Sequence, residues 1–141
     1  MKKHKLLLVA GGLALAIVGS LAAWALVSIH HENVSKQLLL QEASRLSLPG
    51  ECTEQYRTYQ PGGVDTNSGW HIVYKCMSEP QTVEGVAVHG LKNRGYTAIG
   101  TANGGVSHFK NNYFQVDYDF IPDSPSSTTV SLTIYRAGKS Y

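Results

Sequence analysis

Cysteine is scarce in this chain. Two occur in 141 residues, Cys52 and Cys76, and they form no C-x-x-C pair. That excludes a thioredoxin-like redox motif and a cysteine-rich zinc module. The six histidines do not supply the missing ligands. No H-x-x-x-H occurs, and adjacent His30 and His31 on a helix point about 100° apart. Gly105-Val106-Ser107-His108-Phe109 comes near the G-x-S-x-G nucleophile elbow, but Phe109 stands where the last glycine is required. A strand is expected there, whereas the elbow needs a strand-to-helix turn. Asn103-Gly104-Gly105 lacks the Gly-Lys-Ser/Thr and the helix of a phosphate loop, and it reads as a hairpin turn. Asp117 and Asp119 fall on one strand face about 6.5–7 Å apart. That spacing resembles an acid/base pair or half of a Ca²⁺ site, but acidic residues on the polar face of a strand are ordinary. No catalytic residue, metal or cofactor is assigned from these patterns.

Basic charge is also thin once its location is considered. Of 12 Lys/Arg, three (Lys2, Lys3 and Lys5) precede the first apolar run, which leaves nine against ten Asp/Glu. The remainder is near neutral and has no basic stripe, so a nucleic-acid partner is not expected.

The most informative absence is of any charge from Leu6 to Ile29, a run of 24 residues. As a helix it spans about 36 Å, enough to cross a hydrocarbon core about 30 Å thick. The three lysines before it hold the N-terminus in the cytoplasm, and Trp24 suits the interfacial belt. Residues 1–5 are therefore expected to be a cytoplasmic basic tail and 6–29 a signal-anchor helix in contact with membrane lipid. Residues 30–50 are expected to be a juxtamembrane helix and linker, and 51–141 an extracytoplasmic domain. The alternative is a cleaved signal peptide, with Ala23-Trp24-Ala25 in the A-x-A form and secretion after cleavage near Ala25. Against it, a signal h-region is about 7–15 residues, and here Leu26, Val27 and Ile29 continue the run.

Cys52 and Cys76 then fall in an oxidising compartment and are expected to pair. Two strand-like runs, Cys52–Tyr59 and Gly69–Cys76, flank a turn-rich stretch at 60–68. A hairpin centred on Val64 sets Cys52 opposite Cys76, at a separation a disulfide bridges. The same register pairs Tyr56 with Ile72 and Thr58 with Trp70.

Before the hairpin, Leu39, Ala43 and Leu46 recur at helical spacing, which predicts a helix over 32–48 stopped by Pro49-Gly50. After it, Ser78 is the expected N-cap of a helix with Pro80 in its first turn and Gln81 as the capping partner. Its stripe is Val83, Val86, Ala87, Gly90 and Leu91, and Gly95 suits the C′ position. Strands are expected at Tyr96–Thr101, Val106–Lys110, Tyr113–Ile121 and Thr128–Arg136, with a loop over 122–127. Phe114, Val116, Tyr118 and Phe120 face one way, and Val130, Leu132 and Ile134 point inward. The order β-β-α-β-β-β-β, one helix packed on an antiparallel sheet, makes an α+β domain.

By alternation Tyr59, Tyr113 and Tyr135 fall on the face opposite this core. Tyrosine buries much area at low entropy cost, so these three are the candidate binding surface. A membrane helix, a second helix and then an antiparallel sheet is a layout similar in outline to type IV pilin-like subunits. Such subunits carry a Gly-Phe processing site and an early Glu. Here Leu13 follows Gly11-Gly12, and the first acid is Glu32. The expected function is a non-enzymatic, single-pass binding protein of a prokaryotic envelope, with an envelope protein or a further copy as partner. The alternatives are a self-associating pilin-like subunit and an envelope hydrolase whose site assembles only in the fold.

Overall fold

The computed structural model describes residues 2–46, 48–62, 67–101 and 105–137, with side chains from residue 16 onward. The expected turn centres at 63–66 and 102–104 lie outside these residues. So do the side chains of the basic tail and of Leu6–Leu15. The chain divides into two compact units, Met1–Ser35 and Lys36–Tyr141.

A single helix, α1, runs from Lys2 to Ala43. The sequence leaves open whether the two expected helical stretches are continuous and carries the second to 48; the structure joins them, and the end falls earlier. The helix instead tightens at its end, where Arg45 N–H donates to Glu42 O and Leu46 N–H to Ala43 O. These i→i+3 bonds satisfy the last carbonyls and stop the helix before Pro49. Among the described residues no helix is long and apolar enough to cross a membrane.

The second unit is α+β. Its strands are β1 (Cys52–Gln60), β2 (Gly69–Cys76), β3 (Thr97–Thr101), β4 (Ser107–Lys110), β5 (Phe114–Ser124) and β6 (Ser127–Arg136). Helix α2 (Pro80–Asn93) lies between β2 and β3 in the chain. The strands form one antiparallel sheet in the order β1-β2-β6-β5-β4-β3. After β2 the chain therefore crosses through α2 to the far edge and returns strand by strand.

One face of this sheet is the core. Trp70, Ile72 and Cys76 from β2, Phe109 from β4, Val116 and Tyr118 from β5, and Val130, Leu132 and Ile134 from β6 are buried there. Leu39 and Ala43 of α1 and Val83, Ala87 and Leu91 of α2 join the same cluster. The last turns of α1 thus belong to the compact unit. Trp70 confirms this by donating its indole N–H to Lys36 O at 2.9 Å. The outer positions of the α2 stripe are less buried than periodicity suggests, and Val86 is exposed.

The ends of α2 show both kinds of outcome. Ser78 is not the N-cap. Glu79 holds that place without a side-chain bond, and Pro80 sits at the first position. The Ser78 hydroxyl turns away to Glu51 Oε2 at 2.6 Å, and Ser78 O accepts from Thr128 Oγ1 at 2.8 Å. At the other end Gly95 N–H donates to Lys92 O and Tyr96 N–H to Leu91 O, with Gly95 at φ +76°. This is a Schellman motif, closed by buried Tyr96 beside Leu91.

The hairpin disulfide is present. Cys52 pairs with Cys76 in the ladder and is bonded to it. The register changes between Glu54 and Tyr56, where Gln55 forms a bulge. Beyond it Tyr56 opposes Val73 and Tyr59 opposes Trp70, in place of the expected Tyr56–Ile72 and Thr58–Trp70 pairs. One extra residue in a period-2 strand turns every later side chain to the other face. The expected loop at 122–127 is also corrected. β5 and β6 continue to the pair Ser124–Ser127, joined by Pro125-Ser126, with a bulge between Pro122 and Ser124. The bulged residue is Asp123, while Pro122 keeps its place opposite Thr128 and the hairpin is not broken.

Candidate functional site

The face of the sheet opposite α2 and the last turns of α1 carries a polar row. Ladder pairing aligns Thr58 (β1), His71 (β2), Thr133 (β6), Asp117 (β5) and His108 (β4) across five strands. In β5 and β6 buried positions alternate with more exposed ones, and ladder neighbours on one face stand about 4.5–5.5 Å apart and interact.

Asp117 is the hub. Tyr135 O–H donates to its Oδ2 at 2.8 Å, and His108 Nδ1 lies 2.7 Å from Oδ1. A carboxylate only accepts, so His108 donates from Nδ1 here. The Gln115 amide also reaches Oδ1, at 3.4 Å. Partial burial, followed by the neighbouring Asp117 carboxylate, pushes the Tyr135 phenol well above its ordinary value of 10.0. The hydroxyl therefore stays protonated and remains a donor. On the other side of Thr133, His71 is held between two hydroxyls: Nδ1 lies 3.1 Å from Thr133 Oγ1 and Nε2 lies 3.3 Å from the Tyr56 hydroxyl. At the β5–β6 end Lys75 Nζ bonds Asp123 Oδ2 at 2.6 Å, and Thr129 donates to the same oxygen. These two donors lower the Asp123 carboxyl below its ordinary range.

A hollow of about 250 Å³ opens at the end of this face, lined by Gln60, Asn67, Gly69, Thr133 and Tyr135. A larger one, about 460 Å³, lies elsewhere in the unit beside Leu38, Tyr113, Phe114 and Arg136.

The three candidate tyrosines do not form one surface. Tyr135 lies on the open face, inside the Asp117 network. Tyr113 is 72% exposed just before β5 and borders the larger hollow. Tyr59 is corrected. The Gln55 bulge turns it toward the core, where its ring packs on Trp70 at 5.4 Å and lies under Lys36 Nζ at 4.9 Å. Cys52 and Cys76 are the structural staple already described. Asp117 and Asp119 share the open face, but only Asp117 enters the network. His108 and Asp117 meet because β4 and β5 pair in that register. His71 stands two strands away from Asp117, and His89 is exposed on α2.

This arrangement can orient hydrogen-bonding groups toward a ligand laid on the sheet. For nucleophilic chemistry, His108 needs a hydroxyl or thiol at Nε2, and none donates there among the described residues. Nor do three or more His, Cys, Asp or Glu come together among them as a metal site would require. Neither hollow is lined by Asp117, Asp119 or His108. Sequence reasoning missed the row because alternation assigns faces but not strand order; β2 beside β6 is what joins His71 to Thr133. Comparison with protein-family models, with characterised proteins and with solved structures gives no match.

Proposed function

We propose that this protein is a membrane-tethered, non-enzymatic binding protein of a prokaryotic envelope, and that the open sheet face is its contact surface. One observation carries the reading. Helix α2 and the last turns of α1 cover one face of the sheet, while the other holds two clusters of oriented donors and acceptors, Tyr56–His71–Thr133 and Tyr135–Asp117–His108, side by side along one ladder row. Side chains fixed this way lose less freedom on binding than mobile ones. Support for the tether is the charge-free run Leu6–Ile29 behind three lysines, lying within the one helix α1. Support for an extracytoplasmic domain is the disulfide, since such bonds persist in oxidising compartments.

The test places a photo-cross-linking residue at Ser131, on the open face, or at Gln81, on exposed α2, in the full-length protein in native membranes. Ser131 is expected to capture an envelope component and Gln81 is not. Replacing Tyr135 by Ser should weaken that capture without unfolding the chain. Capture from Gln81 alone would move the surface to the helices. Edman sequencing of the membrane fraction checks the tether: a mature chain beginning near Leu26 would replace the anchor with a cleaved signal.

A further inference from the structure

Gly69, the first residue of β2, faces Gln60 on one side and Tyr135 on the other. A Cβ built there would lie 2.7 Å from Ile134 O and 3.2 Å from Tyr135 Cβ. Only glycine lets β2 and β6 close at this point, and the missing side chain leaves room on the open face. The hollow of about 250 Å³ occupies that place.

Its lining has a narrow chemical meaning. Among the described residues no charged side chain contributes. Two carboxamides, Gln60 and Asn67, each present donors and an acceptor, and two hydroxyls, Thr133 and Tyr135, complete the wall. An anionic ligand calls for cationic or purely donating groups, and a cation calls for carboxylates. A wall that both gives and accepts matches a ligand whose own groups do both, which is the property of neutral hydroxyls and acetamides. The polarity is also set in advance. Tyr135 donates its O–H to Asp117, so its oxygen offers only lone pairs to a ligand, and Thr133 is tied to His71. With its hydroxyl anchored, the Tyr135 ring is a fixed apolar plate, against which the C–H face of a sugar ring packs. Pockets for drug-sized molecules run from about 300 to 1,000 Å³, so this smaller one takes a single ring.

We infer that the hollow beside Gly69 is a saccharide subsite that holds one neutral sugar unit of a glycan laid across the sheet. The inference rests on the open face being the contact surface and names the chemistry of what that face binds.

The test titrates full-length protein in detergent micelles with N,N′-diacetylchitobiose and, separately, with maltose, following the backbone amides of Gly69 and Tyr135 by NMR. Saturable shifts at these amides are expected from at least one sugar, with a Kd of about 1–10 mM as befits a single shallow ring contact. The Gln60→Ala/Asn67→Ala variant removes two exposed side chains, keeps the ladder, and should weaken binding at least about tenfold. Its unchanged His108 and Asp117 resonances would show that the fold persists. Absence of shifts with both sugars, or equal binding by the variant, overturns the subsite. If Ser131 still captures a protein in that case, the open face remains the contact surface and only the saccharide assignment falls. If Ser131 captures nothing, both fall.

Discussion

At the scale of single residues, the most consequential group outside the open face is Glu42. It is 7% exposed, yet it accepts from the Arg94 guanidinium at 3.2–3.4 Å and from Tyr96 O–H at 3.1 Å. It thereby ties the end of α1 to the turn after α2. Glu42→Ala would leave the Tyr96 hydroxyl buried without a partner and Arg94 partly buried without its carboxylate. Because Arg94 keeps some access to water, we expect a loss of about 2 kcal/mol in urea unfolding, less than for a fully buried pair. Tyr118 gives the opposite expectation. Its hydroxyl is buried and has no partner among the described residues. Tyr118→Phe removes a polar atom that gained nothing on folding, so stability should rise by up to about 1 kcal/mol. Tyr96→Phe loses a bond to Glu42 and should fall by a similar amount. Equal effects of the two Phe variants would show that the hydroxyl environments are not as different as this geometry makes them.

At the scale of elements, the β1–β2 hairpin depends on its staple. β1 is an edge strand with mostly exposed side chains, held mainly by β2 and by the Cys52–Cys76 bond. With the cysteines 24 positions apart, replacing both by Ser should cost about 3 kcal/mol on the chain-entropy account. Hydrogen exchange should then speed first in β1, while the β5–β6 amides keep their protection. This hairpin also shows how far the sequence could be read. Turn residues and cysteine spacing gave the strands and the Cys52–Cys76 pair correctly. No residue type marks Gln55 as a bulge, so strand alternation alone places Tyr59 on the open face, and the bulge turns it to the core. The Ser78 cap failed for a related reason: its hydroxyl is drawn to Glu51, a partner 27 residues away. By contrast, α2 and its Gly95 stop follow local rules and were legible.

At the scale of the whole molecule, the compact unit Lys36–Tyr141 includes the last turns of α1. A chain starting at Lys36 should unfold cooperatively. One starting at Gly50 would lose Leu39 and Ala43 from the core and the acceptor for Trp70. Loss of a buried Leu alone costs about 2–5 kcal/mol, a large share of the stability of a small domain. Thermal unfolding of the two fragments checks this; equal midpoints would show that the helix end is dispensable. The unit should also be sensitive to alkali. An unfolded tyrosine loses its proton near pH 10. Burial holds the proton on Tyr118, burial and then Glu42 hold it on Tyr96, and burial and then Asp117 hold it on Tyr135, all to higher pH. Above pH 10 the unfolded chain binds fewer protons than the folded one, so stability falls as pH rises. Tyr118→Phe should make that fall shallower, measured as urea midpoints across the range.

The sequence alone determined whatever depends on near neighbours along the chain. That includes the charge-free N-terminal run, the α2 stripe, the strand periodicities, the disulfide and the α+β class. In each case the physical signal is a local one: a side-chain period, a turn residue or a short loop closure. Only the tertiary structure decided what depends on distant segments meeting. Pairing of β2 with β6 aligned His71, Thr133, Asp117 and His108, and Gly69 against Tyr135 opened the hollow. The end of α1 found its place through Glu42 and Trp70. The His108–Asp117 contact joins residues 9 positions apart and the His71–Thr133 contact residues 62 apart. Strand order selects among many pairings with the same local pattern, and the core that makes the selection exists only once the chain has folded.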